Sequence, residues 1–159
     1  LATIKENNDI QFIWQTGKYY YPQVTEAVRA AGKLPNLYVT DFIKDMAAAY
    51  AASDLVISRA GAGSISEFCL LHKPVVLVPS PNVAEDHQTK NALALVDKQA
   101  AIYVKDSEAE AKLMDVALKT VADDQKLKEL SDNIAKLALP DSARIIAQEV
   151  IKLAETENK

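Results

Sequence analysis

The chain has 159 residues, 49% hydrophobic and 25% charged, the balance of an ordinary globular domain, so disorder over most of its length is excluded. A formal charge of −4 without any basic run argues against a nucleic-acid partner. No window approaches the ~18 uninterrupted apolar residues of a membrane-spanning helix, and no secretory signal is visible, so a soluble chain is expected.

In chain order, Leu1-Ala2-Thr3-Ile4-Lys5 reads as the end of a helix, whereas an α/β domain usually opens with a strand. Leu1 is not a methionine either, and a fragment of a longer protein is expected. Short apolar, β-branched or aromatic runs then predict buried parallel strands over Ile10–Gln15, Leu37–Val39, Leu55–Ser58, Pro74–Val78 and Ala101–Val104. Helical spacing fills the intervals, over Pro22–Ala31, Asp45–Ala52, Ser64–His72 and His87–Lys98. Two or three further helices follow, over Ser107–Val121, Asp124–Leu137 and Asp141–Glu155.

Gly17, Gly32 and Gly61 punctuate these elements. Asp141, after Pro140, is a plausible N-cap, and Asp106-Ser107 followed by Glu110 marks another helix start. Residues Glu155–Lys159 are expected to fray. Cys69 is the single cysteine and lies in the apolar run Phe68-Cys69-Leu70-Leu71, which predicts a buried core thiol. One domain over residues 1–159 is expected, of α/β class. Alternation of strand and helix implies right-handed crossovers and a Rossmann-like parallel sheet with helices on both faces. Ligands then bind beyond the carboxyl ends of the strands.

The segment richest in chemistry is Ser58-Arg59-Ala60-Gly61-Ala62-Gly63-Ser64-Ile65-Ser66-Glu67, which runs from a strand through small residues into a helix. Gly61, Ala62 and Gly63 permit close approach to the backbone, and the helix start offers N–H groups and partial positive charge to a diphosphate. A plainer reading stands beside this one: Ser64-x-x-Glu67 matches a capping box, in which Glu67 only satisfies a backbone N–H. Arg59 serves either a phosphate or a local carboxylate. A dinucleotide-binding dehydrogenase fits poorly, because Ser66 stands where the third glycine of that fingerprint belongs.

Four ordered blocks carry a resemblance over about the whole chain. They are Trp14-Gln15-Thr16-Gly17-Lys18, Asp41-Phe42-Ile43-Lys44-Asp45-Met46-Ala47-Ala48-Ala49-Tyr50, the Ser58–Glu67 segment, and Val78-Pro79 leading to Asp86-His87-Gln88-Thr89-Lys90-Asn91-Ala92. Together they resemble the donor-binding domain of the MurG family of GT-B glycosyltransferases. The resemblance implies the C-terminal half of an enzyme that moves N-acetylglucosamine from UDP-N-acetylglucosamine to a lipid-linked N-acetylmuramyl pentapeptide, with inversion, during peptidoglycan synthesis. It implies no cofactor and no metal, a peripheral position on the cytoplasmic face of a bacterial inner membrane for the full-length protein, and inactivity of this fragment alone. The general base, the acceptor site and a further Gly-rich phosphate loop are expected upstream of Leu1, so no catalytic residue is expected here.

By resemblance, Phe42 and Ile43 line a uracil pocket, with the Ile43 backbone reading the base edge and Met46 packing nearby; core packing is the alternative for all three. Glu67 is implied to hold both ribose hydroxyls, and the backbone around Ala62, Gly63 and Ser64 to face the diphosphate. Many members carry a bulkier residue at the Gly63 position. His87 and Gln88 are implied to reach the sugar hydroxyls, His87 being otherwise a solvated residue at a helix start. Asn91 shares their helix and serves either ligand or structure. Other GT-B enzymes acting on UDP-sugars, or a non-catalytic donor-binding subunit of a two-chain transferase, would use the same features.

Overall fold

The computed structural model describes residues 1–82 and 86–156. The elements in order are α1 (Ala2–Glu6), β1 (Phe12–Gln15), α2 (Gly17–Ala31), β2 (Leu37–Thr40), α3 (Met46–Ala52), β3 (Val56–Ser58), α4 (Ala62–Leu71), β4 (Val75–Leu77), α5 (His87–Val96), β5 (Ile102–Tyr103), α6 (Asp106–Val121), α7 (Asp124–Ala135) and α8 (Ser142–Thr156). All five expected strands are present, as is the short helix at the start. The fraying expected over Glu155–Lys159 falls mostly outside the described residues. The chain divides into two compact units, Leu1–Ser53 and Asp54–Lys159.

In the first unit β1 and β2 pair in parallel, Phe12 opposite Leu37 through Gln15 opposite Thr40, and α2 makes the crossover. The helix expected to start at Pro22 starts five residues earlier, at Gly17. Gly17 takes a φ of +73°, a conformation cheap only for glycine, and turns the chain straight out of β1. Pro22 therefore sits inside the helix. The carbonyl its missing N–H would have served belongs to exposed Lys18, where solvent can take its place. Buried Asn36 ties α1 to β2: its side-chain NH2 faces the carbonyls of Ile4 and Asn7 at 2.9 Å and of Ile10 at 3.1 Å.

The Asp45 carboxylate caps α3, accepting the Ala48 N–H at 2.9 Å. Asp45→Ala is expected to destabilise the first unit by about 1 kcal/mol, whereas Asp45→Asn leaves stability within a few tenths. Urea denaturation of the two variants checks this, and equal stability of both would mean that the cap contributes nothing.

In the second unit the strand order is β3-β4-β5, all parallel, with Val56 opposite Val75 and Val76 opposite Ile102. The central strand β4 is buried at every residue, which is why its sequence is an unbroken apolar run. Phe68 of α4, Leu77, Leu130, Ile134, Val75 and Val76 are the largest fully buried side chains. Val76, Val78 and Val104 pack with Leu113 and Val116 of α6. Cys69 is buried, and that burial pushes its thiol pKa up, as expected of a core cysteine and unlike a nucleophile. Among the described residues, no helix is long and apolar enough to cross a membrane.

Candidate functional site

In the second unit, three side chains tie together the segments that leave the carboxyl ends of β3, β4 and β5. Ala60, wholly buried, is the residue through which the chain leaves β3 for α4. Its N–H donates to Oε1 of Gln88 at 3.2 Å, and its carbonyl accepts from Nδ2 of Asn91 at 3.1 Å. The same Gln88 oxygen accepts the Ser80 N–H, after β4, at 2.9 Å. Two backbone donors thus fix the Gln88 amide with oxygen inward, leaving its NH2 directed away from them. Arg59 donates to the carbonyls of Val78 and Pro79 at 3.2 Å each and pairs with Asp106 at the start of α6.

Arg59 is thus engaged by a carboxylate and two carbonyls, and Asn91 by the Ala60 carbonyl. Asp106 does begin a helix, yet Lys105 occupies the N-cap position without a side-chain cap, and the Asp106 carboxylate goes to Arg59. The helix expected from Ser64 begins two residues earlier, at Ala62, with Gly61 as N-cap. Ser64 is therefore the third helical residue and Glu67 the sixth, and the capping-box reading fails on position alone.

The N-cap of α4 is Gly61, which has no side chain to cap the helix, and Ala62 and Gly63 are exposed at its positive end. A Cβ added to Gly61 or Gly63 would meet nothing within 4 Å, so bulkier residues fit at the Gly63 position. Glu67 is exposed one turn into the helix, and His87 is exposed at the first position of α5.

In the first unit, Phe42 is 62% exposed just beyond β2, which rules out core packing for it; Ile43 and Met46 are half-buried. The Ile43 N–H, the backbone donor assigned to the base edge, already donates to Oε1 of Gln15 at 2.8 Å. Sequence reasoning did not single out Gln15 as this partner; its one signal is that it closes β1 inside a matching block. Among the described residues no group of three or more His, Cys, Asp or Glu side chains is placed to hold a metal.

Comparison with known proteins shows the family. The model of the glycosyltransferase family 28 C-terminal domain matches residues 1–146. The UDP-N-acetylglucosamine--N-acetylmuramyl-(pentapeptide) pyrophosphoryl-undecaprenol N-acetylglucosamine transferase of Bacteroides thetaiotaomicron is 97% identical over 99% of the chain, which spans 42% of that protein. The transferase of the same name from Bacteroides fragilis is 78% identical over 98% of the chain, which spans 41% of it. The crystal structure of Acinetobacter baumannii MurG superposes with a TM-score of 0.78 at 29% identity, over 88% of this chain and 42% of that one. The chain thus spans less than half the length of the relatives it matches. The likeness to the MurG crystal structure and a family match over nearly the whole sequence agree: the chain belongs to the family of glycosyltransferase family 28 C-terminal domains.

Proposed function

We propose that the chain is the UDP-N-acetylglucosamine-binding half of an inverting transferase that glycosylates a lipid-linked N-acetylmuramyl pentapeptide. The observation that carries this reading is the start of α4 at a glycine N-cap, with Ala62 and Gly63 exposed and exposed Glu67 one turn further on. The names of the 97% and 78% identical relatives support the donor and the acceptor.

In this reading the N–H groups of Ala62, Gly63 and Ser64, with the Ser64 hydroxyl, receive the diphosphate. As the glycosidic bond to phosphorus-bound oxygen breaks, negative charge grows on that diphosphate, and fixed N–H dipoles stabilise it without reorganising. Glu67 accepts from both ribose hydroxyls, two charge-assisted hydrogen bonds that select a ribonucleotide. The NH2 of Gln88 and the ring of His87 serve the sugar hydroxyls. In the first unit, Phe42, Ile43 and Met46 serve the uracil. The Ile43 carbonyl accepts from the base N–H, and its own N–H turns from Gln15 to the base carbonyl. The general base and the acceptor site belong to the remainder of the longer protein, which acts at the cytoplasmic face of the membrane.

Calorimetric titration of the chain with UDP-N-acetylglucosamine, UDP-glucose, UMP and NAD tests the reading. Binding of uridine nucleotides with preference for the N-acetylglucosamine donor, and none of NAD, is the expected result. No uridine binding, by this chain or by a longer form restoring the preceding residues, would overturn it.

A further inference from the structure

We infer that Asn91 is a positioning residue for the diphosphate-binding turn, acting through the backbone of Ala60 without touching ligand. The inference rests on the donor-binding reading above and adds to it the part that holds the turn in place.

Asn91 and Gln88 lie three residues apart on α5 and so present to one side of that helix. Between them they hold both polar groups of one buried residue. Gln88 takes the Ala60 N–H at 3.2 Å, and Asn91 gives a hydrogen bond to the Ala60 carbonyl at 3.1 Å. That carbonyl belongs to the peptide plane whose other end is the Gly61 nitrogen. Fixing it sets the plane from which α4 departs, because Gly61 is the N-cap and its own carbonyl accepts the Ile65 N–H at 3.0 Å.

The turn is rich in glycine. Glycines at 61 and 63 give it more backbone freedom than any other residues would, and around each the space where a Cβ would sit is empty. Without an anchor at Ala60, the first N–H groups of α4 would sample directions that miss the diphosphate. The NH2 of Asn91 is turned inward and donates to Ala60, which distinguishes it from that of Gln88. Gln88 uses only its oxygen inward, on the N–H groups of Ala60 and Ser80.

The test is a titration of the full chain with uridine and with UDP, comparing the parent with Asn91→Leu and Asn91→Ala, alongside thermal unfolding. Leucine keeps the volume and removes the donor; alanine removes both and suits a helix, should leucine fold poorly. A positioning role predicts uridine affinity within about twofold of the parent and UDP affinity about tenfold weaker, the loss of roughly one charge-assisted hydrogen bond. The advantage of UDP over uridine therefore falls about tenfold, a ratio that general damage to the fold would not move. An unchanged ratio in both variants, or equal losses for uridine and UDP, overturns the inference while leaving the donor-binding reading intact. Failure to bind UDP by the parent chain and by the longer form that restores the preceding residues overturns both.

Discussion

Glu67→Ala is expected to weaken UDP binding by roughly 100-fold while leaving the stability of the chain almost unchanged. The proposed contact is two hydrogen bonds from ribose hydroxyls to one carboxylate, each worth about 1.5 kcal/mol or more, and about 1.4 kcal/mol corresponds to tenfold in affinity. The small stability effect follows from position. Glu67 is exposed and is the sixth residue of α4, outside the reach of a cap, and surface substitutions of that kind change stability by about 0.5 kcal/mol or less. The test gains resolution from the sugar. The parent chain is expected to prefer UDP over 2′-deoxy-UDP, and Glu67→Ala to bind the two alike. Calorimetry on the four combinations gives the coupling between carboxylate and hydroxyl. Were the variant to lose both nucleotides equally while keeping its preference, the ribose role would be wrong.

The neighbouring residue should behave in the opposite way. Phe68 is 1% exposed and faces the core of the second unit, so Phe68→Ala is expected to cost about 3–5 kcal/mol. For a chain of this size that corresponds to a melting temperature lower by about 10 °C, with affinity of the folded fraction for UDP little altered. Urea unfolding followed by a signal from the second unit measures the cost, and a loss below about 1 kcal/mol would mean that the cavity is refilled by rearrangement. Two consecutive residues of α4 thus differ in role: Phe68 lies in the core of the second unit and Glu67 lies at the surface.

Much of this is legible in the residues. Val75-Val76-Leu77 is apolar without alternation because it is the central strand, covered on both faces, and such runs announce themselves. The core thiol of Cys69 and the helix start at Asp45 follow from equally local rules. Helix starts are harder elsewhere. Pro22 and Ser64 both look like first residues, yet α2 begins at Gly17 and α4 at Ala62, since the turn leaving a strand is set by backbone torsion and strand register, which side-chain preferences report only weakly.

The candidate site divides in the same manner. Sequence by itself determined the α/β class, the place of the glycine-containing turn after β3, and the family, because composition, periodicity and ordered motifs are properties of the chain. Tertiary structure alone decided the partners of the polar side chains. Arg59 reaches Asp106 across 47 positions, Asn91 reaches Ala60 across 31, and the Ile43 N–H finds Gln15 across 28. A guanidinium or a side-chain amide can serve a ligand or a backbone equally well. Which it serves depends on what the fold brings within about 3 Å, and nothing in the residue's own neighbourhood encodes that distance.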